Sequence, residues 1–384
     1  MKKNLLLVAF SLFTWGLGEG FFIYFQPLYL QQWGANSIEI GGILGAAGIV
    51  LALSLVPTGL LTDRFGPRNI MISSWILGII AAWGMVLAPN LILFVVSYLV
   101  YNLTGFGAIA MNTYVVEHRG NLSVGRVLTF ISGMYNLGAV IGPFAGGQIA
   151  EKLGLHSIYV IAAFIFILST VIIFFTSSER VFHPEEQHTH NIQSKNLLKD
   201  NPRLIIFMVM SFATMLVLYL PQPLTSNFLQ NQQGLSKSMI GILGAVGNLG
   251  NAFAALVLGN IAPFWGLMIG QVWVALFSAI FLFGNSPFWF GLGYFFFGGY
   301  RLARSMSLTY ARPLAHPDQT GLLFGSIETV NSISVILAPV IAGFLYNQDP
   351  YLLYKTSLIS ILVVICANII VLKFLFPKIK PERS

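Results

Sequence analysis

Apolar residues run in blocks of about twenty or more, separated by short breaks rich in Gly, Pro, Asn and basic residues. A bilayer core is spanned by about 20 apolar residues in a helix. The pattern therefore predicts twelve transmembrane helices, over 5–30, 40–61, 70–88, 91–116, 127–150, 157–176, 204–228, 239–258, 266–284, 288–311, 321–346 and 351–376. The blocks are too long for the roughly ten-residue alternating strands of an outer-membrane barrel. One long polar stretch carries Glu179, Arg180, Glu185, Glu186, Lys195, Lys199 and Asp200, and it divides the chain into 1–176, a linker over 177–203, and 204–384. The expectation is an all-α integral membrane protein of two six-helix bundles.

The two halves repeat each other. Gln26-Pro27-Leu28 followed by Gly42-Ile43-Leu44-Gly45-Ala46 returns as Gln222-Pro223-Leu224 followed by Gly241-Ile242-Leu243-Gly244-Ala245. Gly59 and Gly66 correspond to Gly259 and Gly266, and Gly125 and Pro143 to Gly321 and Pro339. A parallel duplication of this kind makes the bundles pseudo-symmetric and puts a binding site between them near the midplane.

Composition narrows the class. Of 384 residues, 56% are hydrophobic and 9% charged, against about 25% charged in a soluble domain, which excludes a water-soluble enzyme of this size. The formal charge of +7 would suggest nucleic acid in a soluble protein, but its distribution follows membrane topology. With the N-terminus cytoplasmic, Lys2, Lys3, Arg64, Arg68, Arg119, Arg126, Arg180, Lys195, Lys199, Arg203, Arg312, Lys373, Lys378, Lys380 and Arg383 fall inside, and only Lys152, Lys237 and Lys355 outside. Both termini are thus expected in the cytoplasm, the chain in the cytoplasmic (inner) membrane, and no nucleic-acid partner. The apolar stretch after Lys3 exceeds a signal-peptide core and reads as a retained first helix. A single cysteine, Cys366, excludes an intramolecular disulfide and a multi-thiolate metal site.

Two motifs carry a family resemblance. Gly59-Leu60-Leu61-Thr62-Asp63-Arg64-Phe65-Gly66-Pro67-Arg68 resembles the G-x-L-x-D-R-x-G-R-[KR] signature of the major facilitator superfamily, with Pro67 where the pattern has a basic residue. The twelve-helix plan extends that resemblance over the whole chain. It implies a conformational latch of Gly59, Asp63, Arg64, Gly66 and Arg68, with Asp63 facing the start of helix 11 near Gly321, where the helix dipole favours an anion, and Arg64 or Arg68 paired with Glu117. Gly138-Ala139-Val140-Ile141-Gly142-Pro143-Phe144-Ala145-Gly146-Gly147 is similar to the G-x-x-x-G-P-x-x-G-G element of drug/proton antiporters in that superfamily. Gly138, Gly142, Gly146 and Gly147 let another helix approach closely, and Pro143 bends the segment.

Four ionisable residues lie well inside the predicted helices: Glu19, Arg301, Arg304 and Glu328. Each costs roughly 2.5–3.5 kcal/mol at the bilayer centre on insertion scales, so a partner or a function should hold it there. Similar depth allows Arg304 with Glu328 and Arg301 with Glu19, as fixed salt bridges or as proton-linked pairs. Desolvation favours a protonated carboxyl and a nearby arginine an ionised one, so substrate entering between them could couple to protonation. Arg301 could alternatively bind a substrate carboxylate or phosphate. The resemblance implies cavity helices 1, 4, 7 and 10, which supply Trp15, Phe22, Tyr24, Gln26, Tyr101, Asn102, Asn112, Tyr219, Gln222, Tyr294 and Tyr300.

His183, His188 and His190 with Glu185 and Glu186 are a weak metal-site pattern in the linker, and neither metal nor cofactor is expected. No nucleotide-binding, zinc-protease or nucleophile-elbow motif appears. The leading expectation is a monomeric secondary transporter that works by alternating access, with small-molecule substrate and protons as partners. Proton-coupled efflux of amphipathic compounds ranks above uptake of a sugar or organic anion. A lipid-modifying membrane enzyme and a transport-dead sensor stand as the other classes.

Overall fold

The computed structural model describes residues 3–55, 57–177, 201–315 and 319–375. The linker histidines and glutamates considered above lie outside these described residues. The helices are α1 (Lys3–Phe22), α2 (Gln26–Gln32), α3 (Ser37–Leu55), α4 (Thr58–Phe65), α5 (Pro67–Leu87), α6 (Leu91–Leu103), α7 (Gly107–Glu117), α8 (Val124–Leu153), α9 (Leu155–Phe174), α10 (Pro202–Tyr219), α11 (Thr225–Asn231), α12 (Lys237–Val257), α13 (Pro263–Phe283), α14 (Pro287–Phe297), α15 (Gly299–Ala311), α16 (Thr320–Gln348) and α17 (Pro350–Leu375). No strand occurs among the described residues.

There are more helices than the twelve predicted blocks because several blocks are broken. Pro57 and Pro67 open α4 and α5, where a missing N–H costs nothing. The first predicted helix breaks ahead of Pro27 and the seventh around Pro221 and Pro223, since a proline removes a backbone donor and clashes with the preceding turn. The fourth passes through a 3-10 turn at Thr104–Phe106, and the tenth parts at Gly298. Among the described residues eleven helical stretches are long and apolar enough to cross a membrane, with α6, the 3-10 turn and α7 counted as one continuous stretch. The remaining span, the tenth, is split into α14 and α15, of eleven and thirteen residues, each short of the roughly 20 needed. The breaks in the first and fourth spans recur in the seventh and tenth, as do the long helices α8 and α16 with their internal Pro143 and Pro339, whereas α4 has no counterpart between α12 and α13.

The chain forms two compact units, one of Met1–Thr189 with Ser226–Ala245 and one of His190–Thr225 with Val246–Ser384. Ser226–Ala245 comes from the second repeat but packs in the first unit. Asn227 Nδ2 donates to Pro27 O (3.3 Å) and to Gln31 Oε1 (2.6 Å), and Glu151 Oε2 accepts from the Lys237 N–H at 2.7 Å. The first unit is organised on α1, whose Trp15 lies among Trp75, Tyr101 and Phe166. There the Trp75 indole donates to Ser11 and Ser169. The core of the second unit gathers Leu204, Met215, Val274, Ala303, Leu323 and Ile327.

Candidate functional site

In the first unit α1 and α8 touch backbone to backbone along the glycine stripe read from the sequence. A Cβ on Gly142 would lie 2.6 Å from Leu17 O, and one on Gly146 would lie 2.7 Å from Phe21 O. Gly147 faces the other way, with its Cβ position 3.0 Å from Gly241 Cα. The stripe is therefore a close-packing device on two sides. Its consequence is chemical: Glu19, between Gly16 and Gly20 on α1, meets Tyr135 on α8, whose hydroxyl donates to Glu19 Oε2 at 2.6 Å. Glu19 is half-buried, and a short hydrogen bond to a carboxylate offsets part of the cost of holding it there. Tyr135 was missed by the sequence reading. The signal was present, since the glycines at 16 and 20 match those at 138 and 142 in spacing and bring Glu19 against the turn that ends in Gly138.

The aromatic and amide residues expected to line a cavity divide into two groups. Trp15, Phe22 and Tyr101 are buried among aromatic neighbours of their own unit, with Phe22 at 2% exposure stacked on Tyr159 at 5.3 Å. Gln26 is buried as well, its Oε1 accepting from the Tyr159 hydroxyl at 2.8 Å, while its Nε2 has no hydrogen-bond partner among the described residues. These four are core residues of the first unit. The sequence could not separate them from lining residues, because packing and ligand contact draw on the same side chains. Tyr24 and Asn102 are half-exposed and Asn112 exposed, and Asn102 Nδ2 donates to Tyr98 O at 2.8 Å.

In the second unit Arg304 on α15 meets Glu328 on α16. Arg304 Nε donates to Glu328 Oε2 at 3.1 Å and Oε1 at 3.3 Å, and Nη2 closes on Oε2. The fork geometry suits a carboxylate, and both side chains retain about a third of their surface, 33% and 34%. Beside the pair Tyr300 is buried against Tyr219 (5.2 Å) and Phe297 (5.9 Å). One turn along α16 from Glu328, buried Asn331 accepts from the Ser211 hydroxyl at 2.9 Å, which in turn lies 3.1 Å from the Ser307 hydroxyl. Ser211 and Ser307 were also missed; small hydroxyls in apolar helices give no sequence signal of their own. Tyr294 is buried and Gln222 half-buried. Arg301 is exposed, with no hydrogen bond or ion pair among the described residues. Glu19 belongs to the first unit and Arg301 to the second.

The segment between α3 and α5 has its own chemistry. Gly66 sits at φ +83° between α4 and α5, a conformation that L side chains rarely adopt. Pro67 begins α5 where the signature has a basic residue. Arg64 or Arg68 was expected beside Glu117; Arg68 Nε donates to Thr176 O at 2.8 Å and its Nη2 to Phe174 O at 3.0 Å. It thus satisfies carbonyls that the end of α9 leaves open. Arg64 lies over the Phe65 ring at 5.3 Å, Asp63 is exposed, and a Cβ on Gly59 would meet open space. Asp63 lies in the first unit and Gly321 in the second.

A family model described as Major Facilitator Superfamily matches residues 8–266 and 207–384. The chain belongs to the Major Facilitator Superfamily. It is a transporter rather than an enzyme, and a multi-pass membrane protein. Among relatives of this superfamily, the chain is 25% identical over 316 residues to the multi-drug resistance efflux pump PmrA of Streptococcus pneumoniae, covering 76% of this chain and 78% of that one. It is 22% identical over 380 residues to the class H tetracycline resistance protein of Pasteurella multocida, covering 91% and 90%. A match at 24% identity to an uncharacterised MFS-type transporter of Methanocaldococcus jannaschii spans 49% of each chain. Among solved structures, the nucleoside transporter NupG superposes with a TM-score of 0.82 at 14% identity, covering 97% of this chain and 100% of that one. A bacterial homologue of the human lysosomal transporter Spinster gives 0.76 at 14% identity over 100% of both. These likenesses establish the twelve-helix superfamily fold.

Proposed function

We propose that this superfamily member exports amphipathic, drug-like compounds in exchange for protons. It works by alternating access of the halves 1–176 and 204–384, with both termini in the cytoplasm of a cell whose inner membrane holds the protein as a monomer. The observation that carries the reading is a pair of carboxylates kept inside apolar helices, Glu19 held by Tyr135 and Glu328 held by Arg304. A buried carboxylate is costly in a bilayer and marks proton relays. The names of the relatives, an efflux pump and a tetracycline resistance protein, support export as the direction. In this reading the loop at Asp63, Arg64 and Arg68 with Glu117 forms the latch between states.

A second reading is uptake of an organic anion, favoured by one observation: Arg301 is exposed and free of hydrogen bonds among the described residues, ready for a carboxylate or phosphate. Reconstitution into liposomes with an internal pH dye separates the two. Lipophilic cations, neutral sugars and organic anions are offered in turn under an imposed pH gradient. Proton flux driven by the cations and abolished by Glu19→Gln is the expected result. Flux with anions, lost in Arg301→Gln, would replace the first reading by the second, and cation transport unchanged by Glu19→Gln at every pH would remove Glu19 from the coupling.

A further inference from the structure

At one end of the first unit the chain ends and turns come together. The Ser177 N–H donates to Asn4 Oδ1 at 3.2 Å, the Tyr114 hydroxyl to Ser177 O at 3.0 Å, and Arg68 to the end of α9. This end carries Lys3, Arg64, Arg68, Arg119 and Arg126. Between α1 and the α7–α8 turn it opens into a cleft of about 610 Å³, lined by the polar Arg119, Asn121 and Arg126 and by the apolar Leu5, Val127 and Phe130. Arg119 is half-buried and Arg126 exposed, and neither guanidinium has a hydrogen bond or ion pair among the described residues. Arg68, on the same end, shows the alternative fate of an arginine here, being used up on backbone carbonyls. Leu5 and Val127 are buried to 1% and 2% exposure, whereas Phe130 keeps 38%.

The arrangement has two chemistries side by side. Two planar guanidinium forks that make no hydrogen bond or ion pair among the described residues suit a phosphate, which they can grip in bidentate fashion. The cleft also lies at the N-terminus of α8, a 30-residue helix that starts at Val124 after its cap Ser123. Its first N–H groups add a fixed positive potential. The apolar wall continues down α8 from Val127 to exposed Phe130, toward the bilayer interior. A soluble anion would use only the polar residues. A molecule with a phosphate head and hydrocarbon tails would use both, and basic pockets at a membrane surface bind such heads.

We propose that this cleft is a binding site for an anionic phospholipid of the adjoining leaflet, its phosphate held by Arg119 and Arg126 and an acyl chain laid over Phe130, with Leu5 and Val127 as the floor of the cleft beneath it. The site is separate from the carboxylates of the transport reading and does not depend on which compound is carried.

The test uses the full chain in nanodiscs of phosphatidylcholine, with phosphatidylglycerol carrying a photoreactive acyl chain as the probe. Cross-links are mapped by peptide mass spectrometry. For the wild type, labelling of a peptide holding residues 119–130 is expected, competed by unlabelled phosphatidylglycerol but not by extra phosphatidylcholine or by glycerol 3-phosphate. Arg119→Gln and Arg126→Gln should each weaken competition about fivefold and the double variant about thirtyfold, from about 1 kcal/mol for each basic residue near an anionic surface. Arg203→Gln, at the start of α10, should leave it unchanged. Equal competition by phosphatidylcholine, labelling confined to other peptides, or displacement by glycerol 3-phosphate at the same concentration as the lipid would overturn the proposal, the last in favour of a soluble anion. The wild-type competition decides the matter even where the double variant does not fold.

Discussion

Replacing Gly138 by alanine tests the link between the glycine stripe and the charge it positions. An added Cβ would lie 2.6 Å from Leu17 N and closer still to Phe13 O, both backbone atoms that cannot swing aside. Ordinary contact begins at 3.4 Å, so relieving the Leu17 contact alone makes α1 and α8 part by about 0.8 Å at this turn, and the Phe13 contact requires more. Overpacking of this kind costs about 1–3 kcal/mol. Tyr135 stands one turn from Gly138, and its hydroxyl is 2.6 Å from Glu19. The same displacement would take that bond to about 3.4 Å, beyond the roughly 2.5–3.0 Å of an O–H···O hydrogen bond. Gly138→Ala is therefore expected to lower the apparent melting temperature by several degrees and also to remove most of what Tyr135→Phe removes from proton-coupled transport. Measured as a double-mutant cycle in proteoliposomes, adding Tyr135→Phe to Gly138→Ala should cost far less than it costs alone. Fully additive losses would refute the argument, because the glycine and the hydrogen bond would then act independently.

Glu328→Gln leaves Arg304 without its counter-charge and should lower stability by about 1–3 kcal/mol, less than a fully buried pair because a third of each side chain is exposed. In thermal unfolding, Arg304→Met with Glu328→Met should recover part of that loss, and a double variant as damaged as the sum of its singles would contradict the pairing. Arg68→Gln should cost about 1–3 kcal/mol by uncapping α9, checked by melting, and an unchanged melting temperature would contradict the capping role. Gly66→Ala forces a side chain into φ +83° and is expected to cost about 1–2 kcal/mol; an unchanged melting temperature would mean that the turn has relaxed.

Periodicity and repeats made the spans legible because a bilayer leaves the backbone no choice but helix. Where the spans break was partly legible, since Pro57, Pro221 and Pro223 announce it, but the parting at Gly298, where the chain packs closely on Gly250, has no local pattern that reveals it. The pair Arg304 and Glu328 could be read from depth alone, as unpaired charge is too costly there. Trp15, Phe22 and Tyr101 could not be sorted into core or lining, because an aromatic ring serves either use. Arg68 illustrates the same limit for charge: counted as a topological signal, it turns out to terminate a neighbouring helix.

The membership of Ser226–Ala245 in the first compact unit bears on how the protein can be divided. A cut in the middle of the chain, at the polar linker, falls between the duplicated halves of the gene but not between the bodies of the protein. The amino-terminal fragment made alone would lack the partner that Gln31, Gly147 and Glu151 hold in the intact chain, and would leave that seam uncovered. Split expression should accordingly succeed only when both fragments are synthesised together, and the duplication that built the molecule is no guide to the pieces into which it can be taken apart.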